Sequence, residues 1–235
     1  MALPRLNENP EYELVIPSTQ ESVRFRPFLV KEQKNLLIAY ESKDQQQIIN
    51  SILNCISSCI HEETDVSKLS TFDTDYIFTK IRSKSVGEKV TVSGKCKKCE
   101  GATDVEIDLE KIELQGEMRP IKVKLTDTIA LDMKYPTYKD FISNDKIMEM
   151  NANSIYEMLA ICIKSVQTED ENISLQDEPQ EEIERFISSL TTEQFNRIQD
   201  FVNNMPKITL NIDFICQKCG EKNNHNLEGL QDFFS

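Results

Sequence analysis

Val90-Thr91-Val92-Ser93-Gly94-Lys95-Cys96-Lys97-Lys98-Cys99-Glu100-Gly101 and Ile208-Thr209-Leu210-Asn211-Ile212-Asp213-Phe214-Ile215-Cys216-Gln217-Lys218-Cys219-Gly220 are the two stretches on which the reading of this chain turns. Each is an alternating apolar segment that runs into Cys-x-x-Cys and is followed closely by glycine. Alternation with period two marks a strand with one buried face. Two residues between cysteines let both sulfurs face one ion while backbone N–H groups point at the thiolates, and glycine tolerates the left-handed turn that leaves such a loop. The first knuckle is left through Thr103, Val105, Ile107 and Leu109, again in alternation, so each knuckle sits at the tip of a β-hairpin. Four sulfurs, from Cys96, Cys99, Cys216 and Cys219, fill a tetrahedral shell and leave no position for water or substrate, so the expected ion is one structural Zn2+. Lys97, Lys98 and Lys218 lie in the loops, where their charge offsets part of that of four thiolates. The gap of 116 residues between Cys99 and Cys216 requires the hairpins to meet in space, with strands and helices inserted between them. Competing readings are four unmetallated cysteines at hairpin tips and a redox Cys-x-x-Cys, though neither pair opens a helix in a βαβ setting.

Working outward, Tyr12, Leu14 and Ile16 alternate with Glu11 and Glu13, Pro17 to Gln20 offers a turn, and Val23 and Phe25 alternate again, which predicts an N-terminal hairpin. Helices are expected over Lys31–Glu41, over Asp44–Ile60 with its stripe Ile48, Ile52, Ile56 and Ile60, and from Phe72 to the stop at Ser85-Val86-Gly87. Ile121–Leu125 and Ile129–Met133 read as strands. Tyr138 to Val166 returns to helical spacing through Ile155, Leu159, Ile163 and Val166, and the acidic run Gln167–Gln180 reads as an exposed, mobile loop. A helix through Ile183, Phe186, Ile187 and Leu190 precedes a second one opened by the capping-box spacing of Thr191 and Gln194. The fold class is α+β: zinc-ribbon-like hairpins with inserted strands and helices, behind a first part of hairpin plus helices. The expected division is 1–87 and 88–235, the second part carrying a helical insertion at about 137–205 and free to form one compact unit with the first.

The chain has 235 residues and a formal net charge of -13. That field repels phosphate backbones and anionic lipid, and the apolar runs fall short of the roughly 20 residues of a bilayer span. The opening residues show no apolar leader, so the protein is expected to stay in the reducing compartment where it is made, with thiols as core residues or ligands. Cys55 and Cys59, at i and i+4 on the isoleucine stripe, and Cys162 read as buried hydrophobes. His61 and His225 belong to no hydrolase motif, His225 reading as a polar strand residue. The glycines form no nucleotide loop. Neither an enzyme nor a small-molecule site is predicted. A nucleic-acid face would need Arg24/Arg26, Lys80/Arg82/Lys84 and Lys95/Lys97/Lys98 to converge. Phe233 and Phe234, at the end of a polar tail, are candidates for folding back onto the core or for insertion into a partner.

The run Ala2-Leu3-Pro4-Arg5-Leu6, then Tyr12-Glu13-Leu14-Val15-Ile16-Pro17-Ser18-Thr19 and Val23-Arg24-Phe25-Arg26-Pro27-Phe28-Leu29-Val30-Lys31-Glu32, resembles the baseplate hub protein family of T-even-type contractile bacteriophages. The two knuckles and the terminal Gly229-Leu230-Gln231-Asp232-Phe233-Phe234 fit it as well. The resemblance implies a non-enzymatic role in building the central hub of the tail baseplate, with other hub or tail proteins as partners, in the host cytoplasm during assembly and in the virion's tail baseplate if the protein remains there. Two alternatives stand beside it: an assembly chaperone absent from the virion, and a zinc-ribbon regulator that binds nucleic acid.

Overall fold

The computed structural model describes residues 9–116, 118, 122–144 and 152–230, and its elements begin with the hairpin expected at the N-terminus. Strand β1 (Tyr12–Val15) pairs antiparallel with β2 (Ser22–Phe25). Helix α1 (Val30–Ser42) starts where the Glu32 carboxylate takes the Leu29 N–H at 2.8 Å. Helix α2 (Gln45–Cys59) starts at Asp44, whose carboxylate accepts the N–H groups of Gln46 and Gln47 at 2.9 and 3.2 Å and so satisfies donors that a helix leaves open. Its stripe buries Ile52, Cys55, Ile56 and Cys59. Helix α3 (Thr71–Val86) runs from a Ser70 cap to Gly87, whose φ of 114° ends it where glycine was expected to.

Strands β3 (Lys89–Lys95) and β4 (Ala102–Asp108) form the first knuckle hairpin, with Val92 opposite Val105. A 3-10 turn over Leu109–Lys111 leads to β5 (Glu113–Gln115). Strands β6 (Lys122–Lys124) and β7 (Ala130–Met133) precede the short α4 (Tyr138–Ile142) and α5 (Ala152–Ile161). Strands β8 (Ile163–Gln167) and β9 (Asn172–Ser174) follow, then α6 (Gln180–Ser188) and α7 (Thr192–Asn203). Helix α7 carries the predicted capping box: the Thr191 N–H donates to Gln194 at 2.9 Å and the Gln194 N–H to Thr191 Oγ1 at 3.3 Å. Strands β10 (Lys207–Ile215) and β11 (Lys222–Glu228) make the second knuckle hairpin. The class is mixed α+β, as read from the sequence.

Two local expectations are corrected. Ile163 and Val166 do not continue a helix. They lie in β8, hydrogen-bonded to β7 on one side and β9 on the other. The register slips between Asp132 and Met133, and Ile163 and Val166 are both buried although three residues apart. A regular strand sends such a pair to opposite faces, so a strand irregularity supplied the helical phase in the sequence. The acidic run after Gln167 is not a plain loop either. Thr168 and Glu171 close a turn by two N–H bonds, and the chain returns as β9 and a 3-10 turn that buries Leu175.

Contacts group the chain differently from a break after residue 87. Met1–Gln115 with Lys207–Ser235 form one unit and Gly116–Pro206 the other. In the first, Val92, Ile107, Ile208, Ile212 and Phe214 of the knuckle hairpins share a core with Ile52, Ile56, Ile77 and Phe78 of the helices, because neither the hairpin edges nor the helical stripes can bury their apolar faces alone. The second unit is a four-stranded antiparallel sheet in the order β6-β7-β8-β9, with Leu131, Met133 and Ile163 packed against Leu159, Ile198 and Phe201. It therefore takes in strands ahead of residue 137. Its point of insertion is compact: β5 pairs with the start of β10, Gln115 opposite Lys207. Phe233 and Phe234 lie outside the described residues.

Candidate metal centre

The two knuckles are brought together by hairpins that repeat each other at a shift of 120 positions, Cys96 onto Cys216 and Cys99 onto Cys219. In each, the strand before the first cysteine and the strand after the second are held by the same two bonds across the loop. The Cys96 N–H donates to the Gly101 carbonyl at 2.9 Å and the Glu100 N–H to the Cys96 carbonyl at 2.9 Å. The Cys216 N–H donates to Glu221 at 2.8 Å and the Gly220 N–H to Cys216 at 2.9 Å. The left-handed position is Gly220 in the second knuckle, with φ 73°, as the sequence reading required. In the first it is Glu100, with φ 56°, and not the glycine after it. Gly101 has another reason to lack a side chain: a Cβ there would stand 3.2 Å from Cys99 Sγ and from the Lys218 stem.

All four sulfurs lie within 4.8 Å of one another. Two of the pairs cross between hairpins, Cys96 to Cys219 at 3.7 Å and Cys99 to Cys216 at 3.6 Å. A disulfide needs about 2.05 Å, so these are four free thiols. An ion with metal–sulfur bonds of about 2.3 Å separates tetrahedral ligands by about 3.8 Å, and the two cross-hairpin pairs match that spacing. The donor set therefore fits a thiophilic metal held by all four cysteines. Cys96 and Cys216 are buried, Cys99 is half-buried and Cys219 is exposed.

The electrostatics favour thiolate on the buried side. The Cys99 N–H, then those of Lys98 and the Asn223 amide, hold Cys96 down to about 6. The Cys219 and Lys218 N–H groups lower Cys216 likewise. For Cys219 the Glu221 N–H also favours thiolate, but hydrogen bonding with Cys99, Cys216 and Cys96 and loss of solvation outweigh it and push the thiol up to about 12. Four sulfurs this close cannot all carry charge without a cation among them. Lys98 reaches Glu221 at 2.8 Å, which raises its pKa, with Cys219 and Cys96 adding to the effect. Lys97 Nζ donates to the Asn224 carbonyl at 2.8 Å.

Sequence reasoning missed three residues at this centre. Thr103 and Asn223, equivalent under the 120-residue shift, each take an N–H from the opposite knuckle: Gln217 to Thr103 Oγ1 at 3.2 Å and Lys97 to Asn223 Oδ1 at 3.0 Å. Phe214 lies across Gly94 and meets His225 edge-on at 5.1 Å between ring centres. Only an overlay of the two hairpins in register could have drawn Thr103 and Asn223 out of the sequence.

The other candidates fall elsewhere. Cys55 and Cys59 sit in the core of the first unit and Cys162 in that of the second, where burial pushes its thiol up to about 12. His61 Nε2 faces Glu11 at 3.6 Å. Most of the basic groups that a nucleic-acid face would need are tied to carboxylates, while Lys97 is held by the Asn224 carbonyl. Arg24 meets Glu11 and Glu62, Arg26 meets Glu32, Lys80 and Lys84 meet Glu110, and Lys95 meets Glu100. Among the described residues no helix is long and apolar enough to cross a membrane.

Comparison with known proteins places these features. The chain is 22% identical over 224 residues to the baseplate hub assembly protein gp26 of Enterobacteria phage T4, an alignment that covers 95% of this chain and 98% of that protein. No solved structure matches it. The family model described as T4 bacteriophage base plate protein matches residues 9–235, a span that takes in the N-terminal hairpin, both knuckles and the whole insertion. With its hairpins, helices and four-cysteine cluster all inside that match, the chain belongs to the T4 bacteriophage base plate protein family.

Proposed function

We propose that this chain is a non-enzymatic building component of the contractile-tail baseplate, engaged in assembling its central hub through contacts with other hub or tail proteins, and that a zinc-ribbon-like pair of knuckles holds one structural zinc on Cys96, Cys99, Cys216 and Cys219. The observation that carries the first part is family membership over residues 9–235 together with a relative named for hub assembly. The second part rests on the spacing of the sulfurs. Four thiolates in tetrahedral array suit zinc or iron, and zinc fills such sites without redox chemistry or an open position. When bound, the ion would staple the two hairpins. Lys98 and the loop N–H groups would share the negative charge.

Association with the virion tail is the reading that follows for location, after assembly in the host cytoplasm. An assembly factor that leaves the finished particle is the second reading, favoured by the word "assembly" in the relative's name. Quantitative mass spectrometry of purified particles and of baseplate intermediates separates them. Equal recovery of the chain in both is expected of a building component. Recovery in intermediates alone assigns the assembly factor, and absence from both overturns a baseplate role.

A further inference from the structure

We infer that Asn223 is a positioning residue of the metal centre, orienting the Cys96 thiolate from the opposite hairpin through its side-chain amide. The inference rests on the proposed reading of the four cysteines as ligands. Asn223 is buried, with 5% of its surface exposed. Its Oδ1 takes the Lys97 N–H at 3.0 Å, and its Nδ2 donates to Cys96 Sγ at 3.5 Å and to the Glu221 carbonyl at 3.0 Å. Those partners, one donor and two acceptors, fix which way round the amide stands. Every polar group of the side chain is engaged, and each engagement fixes a part of one knuckle or the other.

The repeat supplies an internal control. Thr103 occupies the equivalent place, is equally buried, and takes the Gln217 N–H at 3.2 Å. A hydroxyl acceptor is thus enough to lock one hairpin to the loop of the other. Asn223 has the same lock and adds an N–H directed at a sulfur, which Thr103 does not. That added bond distinguishes positioning from mere architecture. An N–H donated to a ligating thiolate fixes the direction of its lone pairs and draws off part of its charge, and partners of this kind typically change metal affinity by about 10–100-fold.

Titration of the reduced, metal-free full-length chain with Co2+, followed through the thiolate-to-cobalt charge-transfer band, tests this. Competition with a chromophoric chelator then gives the Zn2+ affinity. Asn223→Thr copies the residue of the other hairpin, keeping an acceptor for Lys97 while removing the amide. It is expected to bind both ions about 10-fold more weakly and to shift the charge-transfer band. Asn223→Ala is expected to lose at least as much. Thr103→Val, which removes only the lock, is expected to lower the melting temperature with the band unmoved. Wild-type affinity and an unshifted band in Asn223→Thr overturn the inference, whatever happens to melting, and that variant decides the matter if Asn223→Ala fails to fold. A wild-type chain with no charge-transfer band fails at the earlier step, removing the metal reading itself.

Discussion

The sulfur of a cysteine takes its chemistry from the groups around it, and this chain shows both extremes. Cys162, fully buried among apolar side chains, is pushed up to about 12 and remains a thiol, whereas Cys96, equally shut from solvent, is held near 6 by N–H groups aimed at it. The spacing of Cys96 and Cys99 made that difference readable in the sequence, because a two-residue loop dictates where its own N–H groups point. Donors from the other hairpin, Asn223 above all, are set by the meeting of distant segments, and no local pattern announces them. The same holds for Glu110. Its carboxylate takes the Ser83 hydroxyl at 2.6 Å and lies within 3.2 Å of both Lys80 and Lys84, and these partners, Ser83 foremost, lower its pKa to about 2. A carboxyl depressed in the folded state contributes stability in full above its unfolded value, near 4.5, and loses it as pH falls towards 2. We predict that Glu110→Gln is less stable than the parent at pH 7 and that the gap between them in urea midpoint narrows steadily from about pH 5 downwards. A gap independent of pH would deny the ion-pair cluster its part.

At the scale of elements, the long spacer between the knuckles proves to be short in effect. Because β5 already pairs with the start of β10, the chain that a metal on the four cysteines would close shrinks from 116 residues to residues 100–115 and 207–215, about 25 residues. On the loop-closure model such a cross-link contributes about 3–4 kcal/mol, against about 5 kcal/mol for the full spacer. Packing therefore positions the hairpins, and the proposed zinc would add a staple to a pair already in place. Gly94 belongs to that packing: a Cβ at this position would come within 2.7 Å of the Phe214 ring, which is itself buried and backed by His225. Gly94→Val should displace the ring and cost about 1–3 kcal/mol in chemical denaturation; an unchanged midpoint would show that Phe214 does not hold the hairpins. Gly116 stands where the insertion begins, with φ 113° and a virtual Cβ 2.8 Å from the Pro206 backbone. Gly116→Ala is predicted to lower stability by about 1–3 kcal/mol, whereas Gly87→Ala shares the positive φ but has open space around it and should cost less. Equal losses at the two sites would remove the close approach to Pro206 from the account. Periodicity disclosed most of these elements, and it erred at β8, where a register slip let a strand copy the phase of a helix.

The whole molecule is one unit interrupted by another, an arrangement that composition could not disclose because both units carry buried apolar strands and helices. The change of period at residue 88 marks a switch from helices to hairpins, and the segments on either side of it fill a single core, as the sequence reading leaves open, while contacts separate Gly116–Pro206 where β5 and β10 leave each other. Legible from the start were the mixed class, the two hairpins and the four cysteines that meet at their tips. Membership of the base plate family gives that pair of hairpins its setting, and in the proposed reading their task there is contact with other hub or tail proteins. The account stands or falls on whether the meeting of the sulfurs is a metal site. Elemental analysis of protein purified without chelator under reducing conditions tests this most directly, with Cys96→Ser and Cys216→Ser prepared in parallel. We predict one zinc per chain, lost in either variant together with a lower melting temperature, while the shared core keeps both variants folded. Zinc well below one per chain, iron in its place, or variants that melt with the parent would contradict the claim that a structural zinc staples the two hairpins.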